Sequence, residues 1–155
     1  MEVTDHELVF ERAFDIEALS SFSCGVRELD LLIHKKDGGL LDFIKNVDCE
    51  LFIVNFDGCP VAFFVHSKGC LNTEDGDYDA TEIDFIAVKD DFREQGIGRI
   101  IIDVISNYSI QNDRLFLTVG AFVNKRYSAV GFYEKCGFEI IGERQNSIVP
   151  MFKAL

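Results

Sequence analysis

The sequence predicts a mixed α/β fold: a twisted, mostly antiparallel sheet of about seven strands, flanked by helices, with one β-α-β unit in its second half. Three observations carry this expectation. Apolar runs rich in β-branched and aromatic residues recur along the chain and are short enough to be strands. Asp57-Gly58 interrupts the longest of them, "CELFIVNFDGCPVAFFVHSKG", as a hairpin turn would. "TEIDFIAV" leads through "KDDFREQGIG" into an apolar run with helical spacing, and then into another strand-like run.

In chain order, "ELVFER" (residues 7–12) reads as the first strand. "SCGVRELDLLIHKK" and "LLDFIKNV" read as two helices separated by Gly38-Gly39, with Leu29, Leu32 and Ile33 on one face of the first. The hairpin around Asp57-Gly58 follows over residues 49–69. "LNTEDGDYDA" (71–80) carries Glu74, Asp75, Asp77 and Asp79; lacking the spacing and terminal glutamate of a calcium loop, it reads as a solvated loop. Residues 81–88 read as a strand, the next helix reaches Tyr108, and "RLFLTVGAF" (114–122) is a further strand. "NKRYSAVGFYEKCG" (124–137) reads as a helix stopped by Gly137, and "FEIIGERQNSIVPMFKAL" (138–155) as a closing hairpin.

Composition narrows the function classes. With 155 residues and no linker, repeat or low-complexity tract, a single domain over 1–155 is expected. The 15 phenylalanines, with no tryptophan, read as core filling. No stretch reaches the ~20 apolar residues of a membrane span, and "MEVTDHELVFERAF" lacks the pattern of a secretory signal, so a cytoplasmic location is expected. Cys24, Cys49, Cys59, Cys70 and Cys136 form no C-x-x-C pair and read as reduced, mostly buried thiols. His6, His34 and His66 share no ligand spacing with them, so no metal is expected. The net charge of −12 repels phosphate backbones and anionic lipid, which argues against nucleic acid or a membrane as partner.

Gly96 and Gly98 stand at the start of the apolar helical run, although each costs about 1 kcal/mol relative to alanine inside a helix. A strand, a short loop and a glycine-opened helix make an anion site. The first N–H groups lack intrahelical acceptors, the macrodipole is positive there, and glycine lets a phosphate approach the backbone. Arg93 and Arg99 flank the turn. A P-loop would need Lys-Ser/Thr where Arg99-Ile100 stand, and a dinucleotide fingerprint a third glycine where Ile101 stands.

Arg93-x-x-Gly96-x-Gly98 after "IDFIAV", followed by Ala129, Phe132, Tyr133, Lys135, Gly137 and Phe138, resembles the GNAT superfamily of N-acetyltransferases. The resemblance implies a GNAT-like fold and acetyl-CoA as cosubstrate, its pyrophosphate held by Arg93, Glu94, Gln95, Gly96, Ile97, Gly98 and Arg99. It also implies that the strand edge at Ile86, Ala87 and Val88 pairs with the pantetheine arm, one N–H, that of Ile86, polarising the thioester carbonyl. Relatives often carry a cofactor-binding asparagine where Arg126 stands; Asn124 lies close by, and the resemblance leaves open which of the two takes its place.

The same resemblance implies direct attack by a primary amine in a ternary complex. Tyr133 occupies the position of the phenol that returns a proton to the leaving thiolate. Glu82, with Asp84 on the same strand face, occupies the position of a general-base glutamate in the histone-acetyltransferase branch. The acidic balance points to a cationic small molecule or peptide as acceptor. "FSCGVRELDLLI" (22–33) is similar to a segment of toxin-type relatives that acetylate aminoacyl-tRNA, for which Lys35, Lys36, Lys45, Lys125 and Arg126 are the clustered basic residues. A binding module that senses acyl-CoA without turnover is the other alternative. Relatives are often dimers, and "SIVPMFKAL" is an apolar end through which two copies could pair.

Overall fold

Runs with strand and helix periodicity alternate in the computed structural model, which describes residues 5–35 and 37–155. Met1–Thr4, at the head of the segment read for a secretory signal, and Lys36, the expected end of the first helix and one of the clustered basic residues, lie outside the described residues. The strands are β1 (Leu8–Ala13), β2 (Cys49–Phe56), β3 (Cys59–Thr73), β4 (Gly76–Val88), β5 (Phe116–Phe122), β6 (Glu139–Ile140) and β7 (Ile148–Ala154). The helices among the described residues are α1 (Arg27–His34), α2 (Leu40–Asn46), α3 (Ile97–Gln111) and α4 (Val130–Lys135), in the order β1-α1-α2-β2-β3-β4-α3-β5-α4-β6-β7. The sheet order is β1-β2-β3-β4-β5-β7-β6. β4 and β5 are parallel, and the pairs β1–β2, β5–β7 and β6–β7 are antiparallel. A parallel pair needs a crossover, and α3 supplies it.

Local chemistry explains the turns. Asp57 (φ 50) and Gly58 (φ 76) both take the left-handed conformation that a two-residue hairpin turn with the right twist requires. The acidic segment 71–80 is not a loop. β3 runs on to Thr73 and β4 begins at Gly76, leaving Glu74-Asp75 as the turn, where the Thr73 hydroxyl accepts the Asp75 N–H at 3.2 Å and donates to the Gly76 carbonyl at 2.8 Å. Its carboxylates sit on an exposed hairpin tip, and composition alone does not separate a polar strand end from a loop. The helix expected over 124–137 is confined to Val130–Lys135. The Asn124 side chain accepts the N–H groups of Arg126 and Tyr127, both at 2.8 Å, and this turn competes with helix.

The chain divides into two compact units. The first comprises the residues up to His66 together with Phe85–Ile101. Its core holds Leu51, Ile53, Val54, Val61, Phe63 and Val65, with Ile33 from α1. Phenylalanines do much of the filling: Phe52 stacks on Phe64 with ring centres 5.2 Å apart, and Phe22 and Phe43 pack edge-on against Phe63 and Phe85.

The second unit comprises Ser67–Asp84 and Ile102–Leu155. Ile102 and Ile105 of α3, Ile83 of β4, Leu117, Val119 and Ala121 of β5 and Met151 of β7 are buried there. Two buried hydroxyls satisfy one another: Thr81 Oγ1 lies 2.6 Å from Ser109 Oγ, and Arg114 Nη1 donates to Thr81 at 3.0 Å. Cys24 and Cys136 are buried as expected, but Cys59 and Cys70 are exposed, because each falls on an outward position near a strand end. No helix among the described residues is long and apolar enough to cross a membrane.

Candidate active site

The residues that the sequence singles out fall into two sets, one in each unit. In the first unit the chain leaves β4 through a 3-10 turn at Asp90–Phe92 and reaches the Arg93–Arg99 turn. Gly96 (φ 85) and Glu94 (φ 62) are both left-handed, a conformation in which glycine meets no steric cost and glutamate does. The Gly96 carbonyl accepts the Ile100 N–H at 3.1 Å, so Gly96 caps α3 rather than lying inside it. The early N–H groups of α3 therefore have no acceptor within the helix. Ile97 is buried, so only its backbone is available to a ligand, and α3 is held by Ile97 and Ile101 in this unit. Gln95 donates to the Asp91 carbonyl at 3.3 Å, which fixes the approach to the turn. Backbone N–H groups at the head of a helix are donors of the kind that hold a pyrophosphate, and Arg93 and Arg99 flank them in the chain. Ile86, Ala87 and Val88 form the end of β4 in the same unit.

In the second unit, Glu82 and Asp84 occupy β4 and Tyr133 lies on α4. The Thr118 hydroxyl donates to Glu82 Oε2. Burial raises the Glu82 pKa above the ordinary carboxylate value, and the Thr118 hydrogen bond opposes the rise. Burial also raises Asp84, to about 6, with a hydrogen bond to Ser67 opposing and the nearby charge of Glu82 adding to the rise. Asp84 Oδ2 is buried with no hydrogen-bond partner. Tyr133 is 7% exposed, its ring edge-on to Phe132 and Phe138 at 5.0 and 5.3 Å between centres. Burial pushes its phenol well above the ordinary value, and the charges of Tyr127, Cys136 and Glu82 add to the rise, so the group holds its proton.

The structure thus brings Glu82, Asp84 and Tyr133 together in one unit and the glycine turn residues together in the other. Thr118 and Ser67, the partners of the two carboxylates, escape sequence reading. Only the β4–β5 register, which sets Glu82 against Thr118, reveals the first of them. Asn124 spends its carbonyl oxygen on its own turn, and Arg126 is exposed. Burial pushes the Cys24 thiol up to about 11, which disfavours its thiolate. No cluster of metal-ligating side chains occurs among the described residues.

The segment resembling toxin-type relatives has a structural reason at most of its matched positions. Phe22, Cys24 and Ile33 are buried and Gly25 has φ 80. The Asp30 carboxylate accepts the Ser23 hydroxyl at 2.7 Å and the Cys24 N–H at 2.8 Å.

A helix opened by a left-handed glycine, crossing between two parallel strands, is the arrangement of an anion-binding turn. Over residues 48–140 the sequence matches the family described as "Acetyltransferase (GNAT) domain". The chain belongs to this family of acetyl-CoA-dependent acetyltransferases. No curated protein sequence matches it. Solved structures of similar fold include AtaTR bound with acetyl-CoA, at 18% identity and TM-score 0.71, covering 96% of this chain and 94% of that one. AtaT complexed with acetyl-methionyl-tRNAfMet is similar at 19% identity and TM-score 0.65, covering 92% and 93%. The KacTA–DNA complex is similar at 18% identity and TM-score 0.67, covering 95% and 92%.

Proposed function

We propose that the chain acts as one catalytic domain that acetylates a primary amine arriving as its ammonium form, with Tyr133 as general acid and the Glu82–Asp84 carboxylates receiving the amine. The observation that carries this reading is the pair of half-buried carboxylates, one with an unpartnered oxygen, on the β4 face, in the unit that also buries Tyr133. Acetyl-CoA supplies the acetyl group as an activated thioester. The Arg93–Arg99 turn binds pyrophosphate through backbone N–H groups, and the Ile86 N–H polarises the carbonyl. Glu82, directly or through water, takes the proton the amine must lose before its lone pair attacks. Tyr133, protonated at neutral pH, gives its proton to the departing sulfur; a thiolate released into water-poor surroundings is itself made more basic.

One observation favours a second reading, acetylation of the α-amino group of aminoacyl-tRNA: a structure of similar fold holds acetyl-methionyl-tRNAfMet. The net charge of −12 and the structural duty of the 22–33 segment weigh against it. The test is acetyl transfer measured against free amines, peptides and charged tRNAs. Transfer to free amines supports the first reading, transfer confined to charged tRNA replaces it with the second, and acetyl-CoA binding without transfer to any of them removes both.

A further inference from the structure

The second unit also carries an apolar groove of about 570 Å³ lined by Leu71, Tyr78, Leu115, Phe116, Ile141 and Phe152, with Thr73 and Asp75 at its rim. Its floor is a row of rings across three strands. Tyr78 on β4 lies 5.6 Å from Phe116 on β5, and Phe116 lies 6.2 Å from Phe152 on β7, measured between ring centres. The groove is open: Leu115 is 52% and Ile141 43% exposed.

Strand register joins these rings to the carboxylates. Ala80 stands against Phe116 and Glu82 against Thr118 on the β4–β5 ladder, while Thr118 stands against Phe152 on the β5–β7 ladder. Phe116 and Thr118, whose hydroxyl holds Glu82, are next neighbours on one strand face, their Cα atoms about 7 Å apart. Gly69 lets β3 pack closely against the Glu82–Thr118 pair. A Cβ there would sit 3.2 Å from the Glu82 Cβ and 3.6 Å from Thr118 Oγ1.

We infer that this groove receives the acceptor, and that the acceptor is a primary amine carried on an apolar or aromatic body, its ammonium at Glu82 and its body over Tyr78, Phe116 and Phe152. The inference rests on the proposed amine acetylation and narrows its substrate class. The groove's volume is that of a site for a small organic ligand. Each methylene buried there raises affinity about fourfold, whereas a polyamine would bring a second hydrated charge over the rings. The amine is either free or the α-amino group of an apolar residue, and the chemistry at the groove is the same.

The test is kcat/KM at saturating acetyl-CoA for methylamine, hexylamine, phenethylamine and spermidine, with glycinamide and phenylalaninamide as the α-amino arm. The expected result is a gain of at least tenfold from methylamine to phenethylamine, or from glycinamide to phenylalaninamide. Tyr78→Ala and Leu115→Lys, the second at a half-exposed rim position, should each shrink that gain severalfold while the melting temperature stays near that of the parent. A flat series, a preference for spermidine, or a gain untouched by both substitutions overturns the groove but leaves amine acetylation standing. No transfer to any amine in the panel overturns the acceptor role and the acetylation reading together.

Discussion

The two compact units bring different materials to the proposed chemistry. The unit that holds the Arg93–Arg99 turn offers backbone N–H groups, whose position depends on a few torsion angles, above all the left-handed Gly96. The unit that holds Glu82, Asp84 and Tyr133 offers side chains whose protonation depends on how far water is excluded. The first kind of site fails when a torsion angle is denied it. The second fails when an atom is removed, and it also responds to pH.

The largest effect expected is at Tyr133. Removing the phenolic oxygen in Tyr133→Phe should lower kcat by about 10²-fold or more, the ordinary worth of a positioned acid. The dissociation constant for acetyl-CoA should stay within about twofold, since the backbone turn lies in the other unit. Steady-state rates beside calorimetric binding read the two quantities separately, and unchanged turnover would remove Tyr133 from the mechanism.

Gly96→Val reverses the pattern. A β-branched residue at φ 85 is strained by a few kcal/mol, so the turn should relax and acetyl-CoA affinity should drop by roughly tenfold or more. If the affinity holds, the glycine serves only the start of α3.

Asp84 sharpens the contrast through pH. Its folded pKa of about 6 lies above the unfolded value, so the native state binds the extra proton between those values. Stability from this group is therefore present at low pH and lost as pH rises through about 6. Asp84→Asn should melt higher than the parent at pH 7, with the difference narrowing toward pH 4. A difference that does not vary with pH would mean that Asp84 titrates normally. The smallest effect belongs to Asn124→Ala, which should cost about 1 kcal/mol in denaturant unfolding through loss of its turn. Loss of acetyl-CoA binding greater than that would return Asn124 to the cofactor site.

Local patterns were legible in the sequence wherever one residue type meets one backbone need. Asp57-Gly58 announces its hairpin, Gly137 ends α4, and the Ile97, Ile101, Ile102 and Ile105 spacing marks the buried face of α3. The 71–80 segment reads as a loop because the turn and the strand end that follows it carry carboxylates on exposed positions, and a polar strand end has no signature of its own. The shortened α4 has a similar cause: the Asn124 turn satisfies two N–H groups that a helix would have used differently.

The sequence by itself determined the order of strands and helices, the glycine-opened start of α3 and the residues eligible for acid and base chemistry, because torsional preference and periodicity act over a few neighbouring residues. Tertiary structure alone decided that Thr118 holds Glu82, that Asp84 keeps an unpartnered oxygen, that Tyr133 loses its water, and that Tyr78, Phe116 and Phe152 line one groove. Each of these depends on register and burial among strands far apart in the chain, and the pairing of distant strands has no local code.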